Sequence, residues 1–312
     1  MRLTVLHLSD IHIRTVNDAV LARARAIASA ASSLDFRPEA LLVVLSGDVA
    51  FSGKPEEYQM AVLFLKEPEQ HLRELNADLE LAFSSVPGNH DCYLPEAGAA
   101  LRRALVEGIN PTINKNEPDP EILIELLKAQ SAYFDFQREC SSRQVPDQRL
   151  CSSELIDLKG VKLQLNLYNT ALMSERNEEQ GSLSVPNLVF ERVIGPADGS
   201  ALSIAILHHT YPWIESDNGL EFRRHVEDNA DVVLTGHQHF DHIFVKQNLG
   251  GERVLYLEGA ALQDSAFPQV SEFNVVEIDV DRRMQRSGAL SLEERSIFST
   301  TSERVAPAGG KP

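Results

Sequence analysis

Aspartate, histidine and one asparagine stand at the ends of five apolar runs in this sequence, and these are side chains that hold divalent metal ions. Leu3–Leu8 gives way to Ser9-Asp10-Ile11-His12, and Leu41–Leu45 to Ser46-Gly47-Asp48. A third run ends in Pro87-Gly88-Asn89-His90-Asp91, a fourth in His208-His209 and a fifth in Thr235-Gly236-His237-Gln238-His239. Neutral imidazole and carboxylate oxygen suit borderline and hard cations such as Mn, Fe and Zn. One ion takes about three or four protein ligands, and this set is too large for it. Two ions would use the whole set if one carboxylate bridged them. A pair of ions ~3.5–4 Å apart clamps a phosphoryl group during displacement. A lone Asp-x-His at a strand end is ordinarily a turn with a satisfied histidine; five such pieces in order are a metal signature.

Bringing these residues together requires strands that all end on one side. Leu3–Leu8 reads as a buried strand, and Leu21, Ala24, Ile27 and Ala28 follow at helical spacing within residues 17–34. A second strand, Leu41–Leu45, precedes a helix carrying Tyr58, Ala61, Val62 and Leu65 that Pro68 interrupts near its end, and a third strand covers Leu79–Ser85. Repeated strand, polar turn and helix predict a parallel sheet with right-handed crossovers, with ligands gathered beyond the carboxyl ends of the strands. Residues 94–142 read as two helices, Pro95–Val106 and Pro120–Glu139, inserted as a cap or bracket. A hairpin (Leu155–Leu158, Val161–Leu167) turns at Lys159-Gly160. Strand Leu202–Leu207, helix Asp217–Asp228 and strand Asp231–Leu234 follow, then strands at Ile243–Gln247, Arg253–Glu258 and Phe273–Val280. Two packed sheets flanked by helices are the simplest assembly. One domain over residues 1–298 is expected, and the Pro-, Gly- and Ser/Thr-rich residues 299–312 read as a flexible tail or a linker to a longer protein.

Composition narrows the function classes. The 312 residues carry 29 Lys plus Arg against 46 Asp plus Glu, a formal charge of −17, which argues against a broad electrostatic grip on nucleic acid. A local basic groove is still compatible with it. With 43% hydrophobic and 24% charged residues the chain is of globular type rather than disordered or collagenous. No run approaches the ~20 apolar residues of a membrane span. Three irregularly spaced cysteines, Cys92, Cys140 and Cys151, form neither a disulfide framework nor a thiolate zinc site. A reducing cytoplasm is the expected location, and Leu3–Leu8 is too short and too soon interrupted for a signal peptide.

Taken in order, SDIH (Ser9–His12), SGD (Ser46–Asp48), PGNHD (Pro87–Asp91), LHH (Leu207–His209) and TGHQH (Thr235–His239) resemble the five motifs of the calcineurin-like metallophosphoesterases. The resemblance spans residues 10–239 and implies an α/β fold: a four-layer αββα sandwich of two mixed β-sheets flanked by helices, here with a helical insertion. It also implies two divalent ions, Mn first with Fe or Zn as alternatives, and ester hydrolysis by a metal-bridging hydroxide. Carried over residue by residue, it gives Asp10, His12, Asp48 and His239 to one ion. Asp48, Asn89, His208 and His237 go to the other, with Asp48 bridging. His90 becomes the catalytic proton donor or phosphate contact, a role that suits an imidazole near neutral pH. Family members often place Pro close behind the fourth-motif histidine, whereas here His208-His209-Thr210-Tyr211 precede Pro212. Either histidine fits, and His208, which ends the apolar run directly, is the expected ligand.

The SDIH opening and GHQH ending are similar to the bacterial cyclic-nucleotide phosphodiesterase branch, which implies a phosphodiesterase acting on nucleotides or cyclic nucleotides. DNA or RNA nucleases share the motif set. The alternative is therefore a nuclease, the effector module of a larger defence or repair complex; a third reading is a non-catalytic metal-binding scaffold. Expected partners are a phosphate-ester or nucleotide substrate, with nucleic acid in the alternative and no membrane, and a second copy or partner chain is left open. Among the remaining side chains, Tyr211 and Trp213 could stack on a nucleobase or pack in the core. Cys92 reads as a buried filler, His7 as a core histidine, His225 as solvated, and Arg102, Arg103 and Lys115 as a solvated face of the insertion.

Overall fold

In the computed structural model, the described residues are 2–33, 40–110, 113, 116–141, 149–196, 199–239, 242–247, 253–263, 271–280, 284–291 and 297–304. They form strands β1 (Arg2–Leu8), β2 (Ala40–Leu45), β3 (Glu80–Ser85), β4 (Cys151–Leu158), β5 (Val161–Tyr168) and β6 (Leu202–Ile206). Strands β7 (Val232–Thr235), β8 (His242–Gln247), β9 (Arg253–Glu258), β10 (Glu272–Asp279), β11 (Met284–Ser291) and β12 (Ile297–Arg304) complete two six-stranded sheets. The first has the order β12-β11-β10-β1-β2-β3 and the second β4-β5-β6-β7-β9-β8. Both are mixed: β1, β2 and β3 run parallel with β10 antiparallel to β1, and β5, β6, β7 and β9 run parallel between antiparallel edges.

Alternation along β1 creates two cores at once. Leu3 and Val5 join Leu42 and Val44 of β2 and Leu163, Ile204, Leu234 and Leu257 of the second sheet in a core between the sheets. Leu6 and Leu8, on the opposite face, pack with Leu41, Val43 and Leu45 against α1 (Ala24–Ser33) and α2 (Pro55–Leu75). Strands covered on both faces must be apolar throughout, and all six residues of β2 are buried. Beyond the second sheet, α6 (Asn187–Val193) and α7 (Ser216–Asp228) close the fourth layer through Phe190, Phe222 and Val226. The αββα sandwich of two mixed sheets is the expected one. Helix α2 begins with Pro55 after a box in which the Glu57 carboxylate accepts from the Lys54 and Ser52 backbone N–H groups. It does not break at Pro68 as the sequence suggests, because Phe64, Pro68 and Leu72 are all buried on one helix face that the first sheet retains.

The insertion divides. Helices α3 (Ala99–Ile109) and α4 (Pro120–Leu127) surround a separate cluster with Leu172, Met173 and Leu183, whereas α5 (Ser131–Cys140) sends Tyr133, Phe134 and Phe136 into the helical layer on the first sheet. Arg102 is not part of a solvated face: its guanidinium donates to the carbonyls of Ser174 (2.9 Å), Leu126 (3.1 Å) and Leu172 (2.9 Å), tying the insertion to the loop after β5. Lys115 lies outside the described residues. The expected tail is corrected in its first part, since residues 299–304 belong to β12, which pairs with β11 from Ser291↔Ile297 to Met284↔Arg304. Backbone ladder bonds sustain that strand without an apolar pattern. Residues 305–312 lie outside the described residues.

Candidate metal centre

Six non-glycine residues among those described have positive φ, and five of them are Asp10 (52°), His12 (51°), Asp48 (55°), His237 (73°) and His239 (57°); the sixth is Lys159 in the hairpin turn. An L-residue in the left-handed region costs on the order of 1–3 kcal/mol and persists only where its surroundings fix it. Here the fixing is mutual. Asp10 N–H donates to Gly47 O (3.2 Å), and Ile11 and His12 N–H both donate to Asp48 O (2.9 Å each), so the turns after β1 and β2 lock one another. Gly47 is required by close approach as well as by its φ of 101°, because a β-carbon there would lie 2.4 Å from His208 Nδ1.

Two groups of side chains meet at Asp48. In the first, Asp10 Oδ1 lies 3.3 Å from His239 Nε2, and His12 Nε2 lies 3.5 Å from His239 Nε2, 3.8 Å from Asp10 Oδ1 and 3.9 Å from Asp48 Oδ2. In the second, His208 Nε2 lies 3.4 Å from the same Asp48 Oδ2 and 3.0 Å from Asn89 Oδ1. His237 Nδ1 lies 3.1 Å from Asn89 Oδ1 and 3.2 Å from His208 Nε2. The other Asp48 oxygen accepts the His90 backbone N–H (2.8 Å), which leaves Oδ2 facing both groups. All seven expected ligands are therefore brought together.

The donor set fits divalent cations on three observations. Asp10 Oδ1 is buried without a hydrogen bond, although Oδ2 accepts from Ser9 Oγ (2.5 Å) and His237 N–H (3.1 Å). His208 Nδ1 donates to Ser46 O (2.7 Å), so its other nitrogen meets the Asn89 carbonyl oxygen lone pair to lone pair unless a positive charge sits there. The field agrees. Burial pushes His208 down, but the charges of Asp48 and Asp10 outweigh it and hold its pKa up at about 10. Burial pushes Asp10 up, yet the facing His239 and His208 bring it to about 2, and Asp48 is held well below the carboxylate range despite burial, mainly by His208. Burial lowers His12 to about 4, and burial with His209 and His208 lowers His237 to about 2, leaving both as neutral ligands. Two buried carboxylates whose charges outweigh the desolvation of His208 form a cradle for cations.

His208 and His209 point to different partners. His209 engages Glu178 Oε2 through Nε2 (3.2 Å) and Thr170 Oγ1 through Nδ1 (3.1 Å), so both its ring nitrogens are taken by the protein. Its ring instead supports His237 at 4.6 Å, and Trp213 stands edge-on to His237 at 4.1 Å. His90 donates from Nδ1 to Phe51 O (2.7 Å), its ring 4.6 Å from that of His12, and its Nε2 has no hydrogen bond among the described residues. Sequence reasoning passed over Asp91. Its buried carboxylate accepts from Gly88 N–H (2.9 Å), Ala50 N–H (3.0 Å), Val49 N–H (3.3 Å) and Tyr58 Oη–H (2.8 Å), joining the second and third motif loops. Its place in PGNHD was the available signal. Glu178 and Phe51 carry no signal in sequence. His7 is buried between the sheets on Ser46 Oγ (2.8 Å), as expected of a core histidine, and His225 is half-buried, its ring 5.9 Å from that of Tyr168. His242 opens β8 and faces Glu258 (3.6 Å).

Comparison with known proteins places this site in a family. Residues 3–241 match the family model of the calcineurin-like phosphoesterases. An uncharacterized metallophosphoesterase-like protein of Bacillus subtilis, YydB, is 25% identical over 301 residues, covering 90% of this chain and 58% of that protein. The glycerophosphodiester phosphodiesterase GpdQ of Enterobacter lignolyticus is 35% identical over 97 residues, 28% of this chain and 30% of that protein. The chain thus spans little more than half the length of YydB and less of GpdQ. Among solved structures, a dimetal phosphatase from Danio rerio aligns with a TM-score of 0.47 at 10% identity, covering 97% of this chain and 99% of that one. Vps29 of Chaetomium thermophilum aligns with a TM-score of 0.37 at 8% identity, covering 97% and 98%. With the family match running through all five motifs, the chain belongs to the calcineurin-like phosphoesterases.

Proposed function

We propose that this chain is a dinuclear metal-dependent phosphohydrolase, and within that class a phosphodiesterase acting on nucleotides or cyclic nucleotides. The observation that carries the reading is Asp48 Oδ2, shared between the His12 and His208 sides of the site. Asp10, His12, Asp48 and His239 would hold one ion, and Asp48, Asn89, His208 and His237 the other. When bound, the pair supplies Lewis acidity for the phosphoryl oxygens and for the attacking water. Mn is the first expectation for both positions, since carboxylate and imidazole ligands suit it, with Fe or Zn as alternatives.

The chain's own groups do the rest. Two carboxylates against two divalent charges leave the site net positive, and the neutral Asn89 keeps it so, which favours an anionic ester. His90 is the catalytic acid of the proposal. Its Nδ1–H is committed to Phe51 O, so the proton it delivers to the leaving oxygen is held at Nε2. His209 and Trp213 keep His237 in place from two sides. The diester preference is supported by the branch resemblance of the motifs and by the phosphodiester substrate in GpdQ's name. A cytoplasmic location is part of the same proposal, supported by three cysteines that are all free. Among the described residues no helix is long and apolar enough to cross a membrane.

The test is hydrolysis by protein reconstituted with Mn, Fe or Zn of cyclic nucleotides, single-stranded DNA and RNA, and a bis(p-nitrophenyl) ester, with Asp48→Asn as control. Selective turnover of cyclic nucleotides supports the proposal. Cleavage of DNA or RNA moves the assignment to a nuclease, and no hydrolysis with any metal leaves the scaffold reading.

A further inference from the structure

We infer that Arg14 binds a second phosphate group of the substrate, next to the ester held at the metal centre. The inference rests on the phosphohydrolase reading above and adds the substrate class: an ester that carries another anionic phosphate beside the reacting one. Beyond the metal-holding turns, the parallel pairing of β1 and β2 resumes for one step at the Ile13↔Ala50 bridge, with Ile13 N–H donating to Val49 O and Phe51 N–H to Ile13 O (3.1 Å each). The next residues of the two segments, Arg14 and Phe51, are thereby set side by side. The guanidinium carbon of Arg14 lies 3.6 Å from the centre of the Phe51 ring. That ring lies 5.2 Å from His90 and 6.3 Å from His12. The guanidinium is thus no farther from the His90 imidazole than the two spacings of that stack together.

Its charge is available. Arg25, Arg73, Arg103 and Arg176 each face a glutamate, but Arg14 is exposed and no carboxylate of the described residues pairs with its guanidinium. Asp18, four residues further along, is taken up by the backbone N–H groups of Arg14 (2.5 Å) and Thr15 (3.1 Å) and by Thr15 Oγ1 (3.2 Å). These bonds also fix the loop. A guanidinium lying on an aromatic face keeps its edge N–H groups free, and that planar fork matches two oxygens of a phosphate. In a chain of charge −17, an unpaired and preorganised fork at the rim of a cation-holding site is a specificity element for a second anion.

The experiment is calorimetry on the Mn-loaded full chain with inorganic pyrophosphate and orthophosphate as probes. Arg14→Gln should weaken pyrophosphate about tenfold or more while orthophosphate changes about twofold or less, and Arg14→Lys should recover part of the loss as a point charge. Metal content measured on each variant by mass spectrometry guards against an effect through the metal centre. Equal loss for both probes, no loss for either, or no pyrophosphate binding by the unmodified protein overturns the inference. Ester hydrolysis without discrimination between the probes removes the role of Arg14 alone. Probe discrimination without hydrolysis of any ester removes the phosphohydrolase reading alone.

Discussion

A β-carbon placed on Gly88 would lie 2.1 Å from Asp48 Oδ1, inside any allowed contact. The loop carrying Asn89 and His90 therefore closes over the shared carboxylate only because residue 88 lacks a side chain, and His90 N–H can then donate to that same oxygen. Gly88→Ala should push the third-motif loop away from Asp48. Overpacking of this kind costs about 1–3 kcal/mol. The expected outcome is a lower melting temperature and a fall in bound metal by mass spectrometry; an unchanged metal content would show that the loop has room to move.

Asp48 itself is predicted to be needed by both ions. Loss of an outer partner of a metal ligand typically costs roughly 10–100-fold in affinity, and removal of a carboxylate shared by two ions should cost more. Asp48→Asn should bind fewer than two ions per chain and lose hydrolysis, while retaining its circular dichroism spectrum. Two tightly held ions in this variant would mean that Oδ2 is not shared.

The two adjacent histidines give a sharper contrast. His208→Ala removes a nitrogen aimed at Asp48 and Asn89, whereas His209→Gln removes one bound to Glu178. The first should lose one ion. The second should keep both ions, with affinity weakened by about 10–100-fold through the loosened His237 and with lower stability from the less well paired Glu178. Metal titration of the two variants side by side decides it, and the reverse order would exchange their roles.

This pair also marks where sequence reasoning stops. The strand ends could be read because β1, β2, β6 and β7 are predominantly apolar and stop abruptly at polar turns, so the order of the motifs and the layered fold follow from pattern. Which of two neighbouring histidines faces the site was legible only as a preference for His208, from its place at the end of the apolar run. It is decided by the Ser46 carbonyl, 162 residues away from His208, and by Glu178, 31 residues from His209. Arg102 was illegible for a related reason, since its partners are backbone carbonyls that leave no trace in residue types. Strands β11 and β12 lack apolar alternation and are assembled by backbone pairing at the sheet edge.

Arg102 should hold the insertion against the loop after β5. Hydrogen bonds to a charged group contribute roughly 1.5–3 kcal/mol each, and removing this one side chain takes the charged donor from three carbonyls, of which Leu126 O keeps the Lys128 N–H. Arg102→Ala is expected to lower the urea midpoint and to speed proteolytic cleavage between α3 and α4. If both are unchanged, the apolar cluster of Val106, Ile109, Leu126 and Leu172 suffices to hold the insertion.

A pH effect away from the metal centre is expected at Glu227 on α7. Its carboxylate accepts from Lys246 Nζ (2.6 Å), Tyr256 Oη–H (2.6 Å) and Arg223 Nε (2.9 Å), so that α7 is tied to β8 and β9. Burial pushes its pKa up, but Lys246, Tyr256 and Arg223 outweigh it and leave the folded value below the ordinary glutamate one. A depressed folded pKa means that the unfolded chain takes up the proton first. The contribution to stability is therefore complete above the unfolded value and is lost as pH falls through the folded one. Glu227→Gln should then unfold at lower urea than the unmodified protein at pH 7, with the difference shrinking as the pH is brought to the acid side of the glutamate range. Comparing the two proteins at each pH cancels the carboxylates they share, including those of the metal centre. A difference that stays constant from neutral to acid pH would show that the charge of Glu227 contributes nothing and that its hydrogen bonds act as neutral ones.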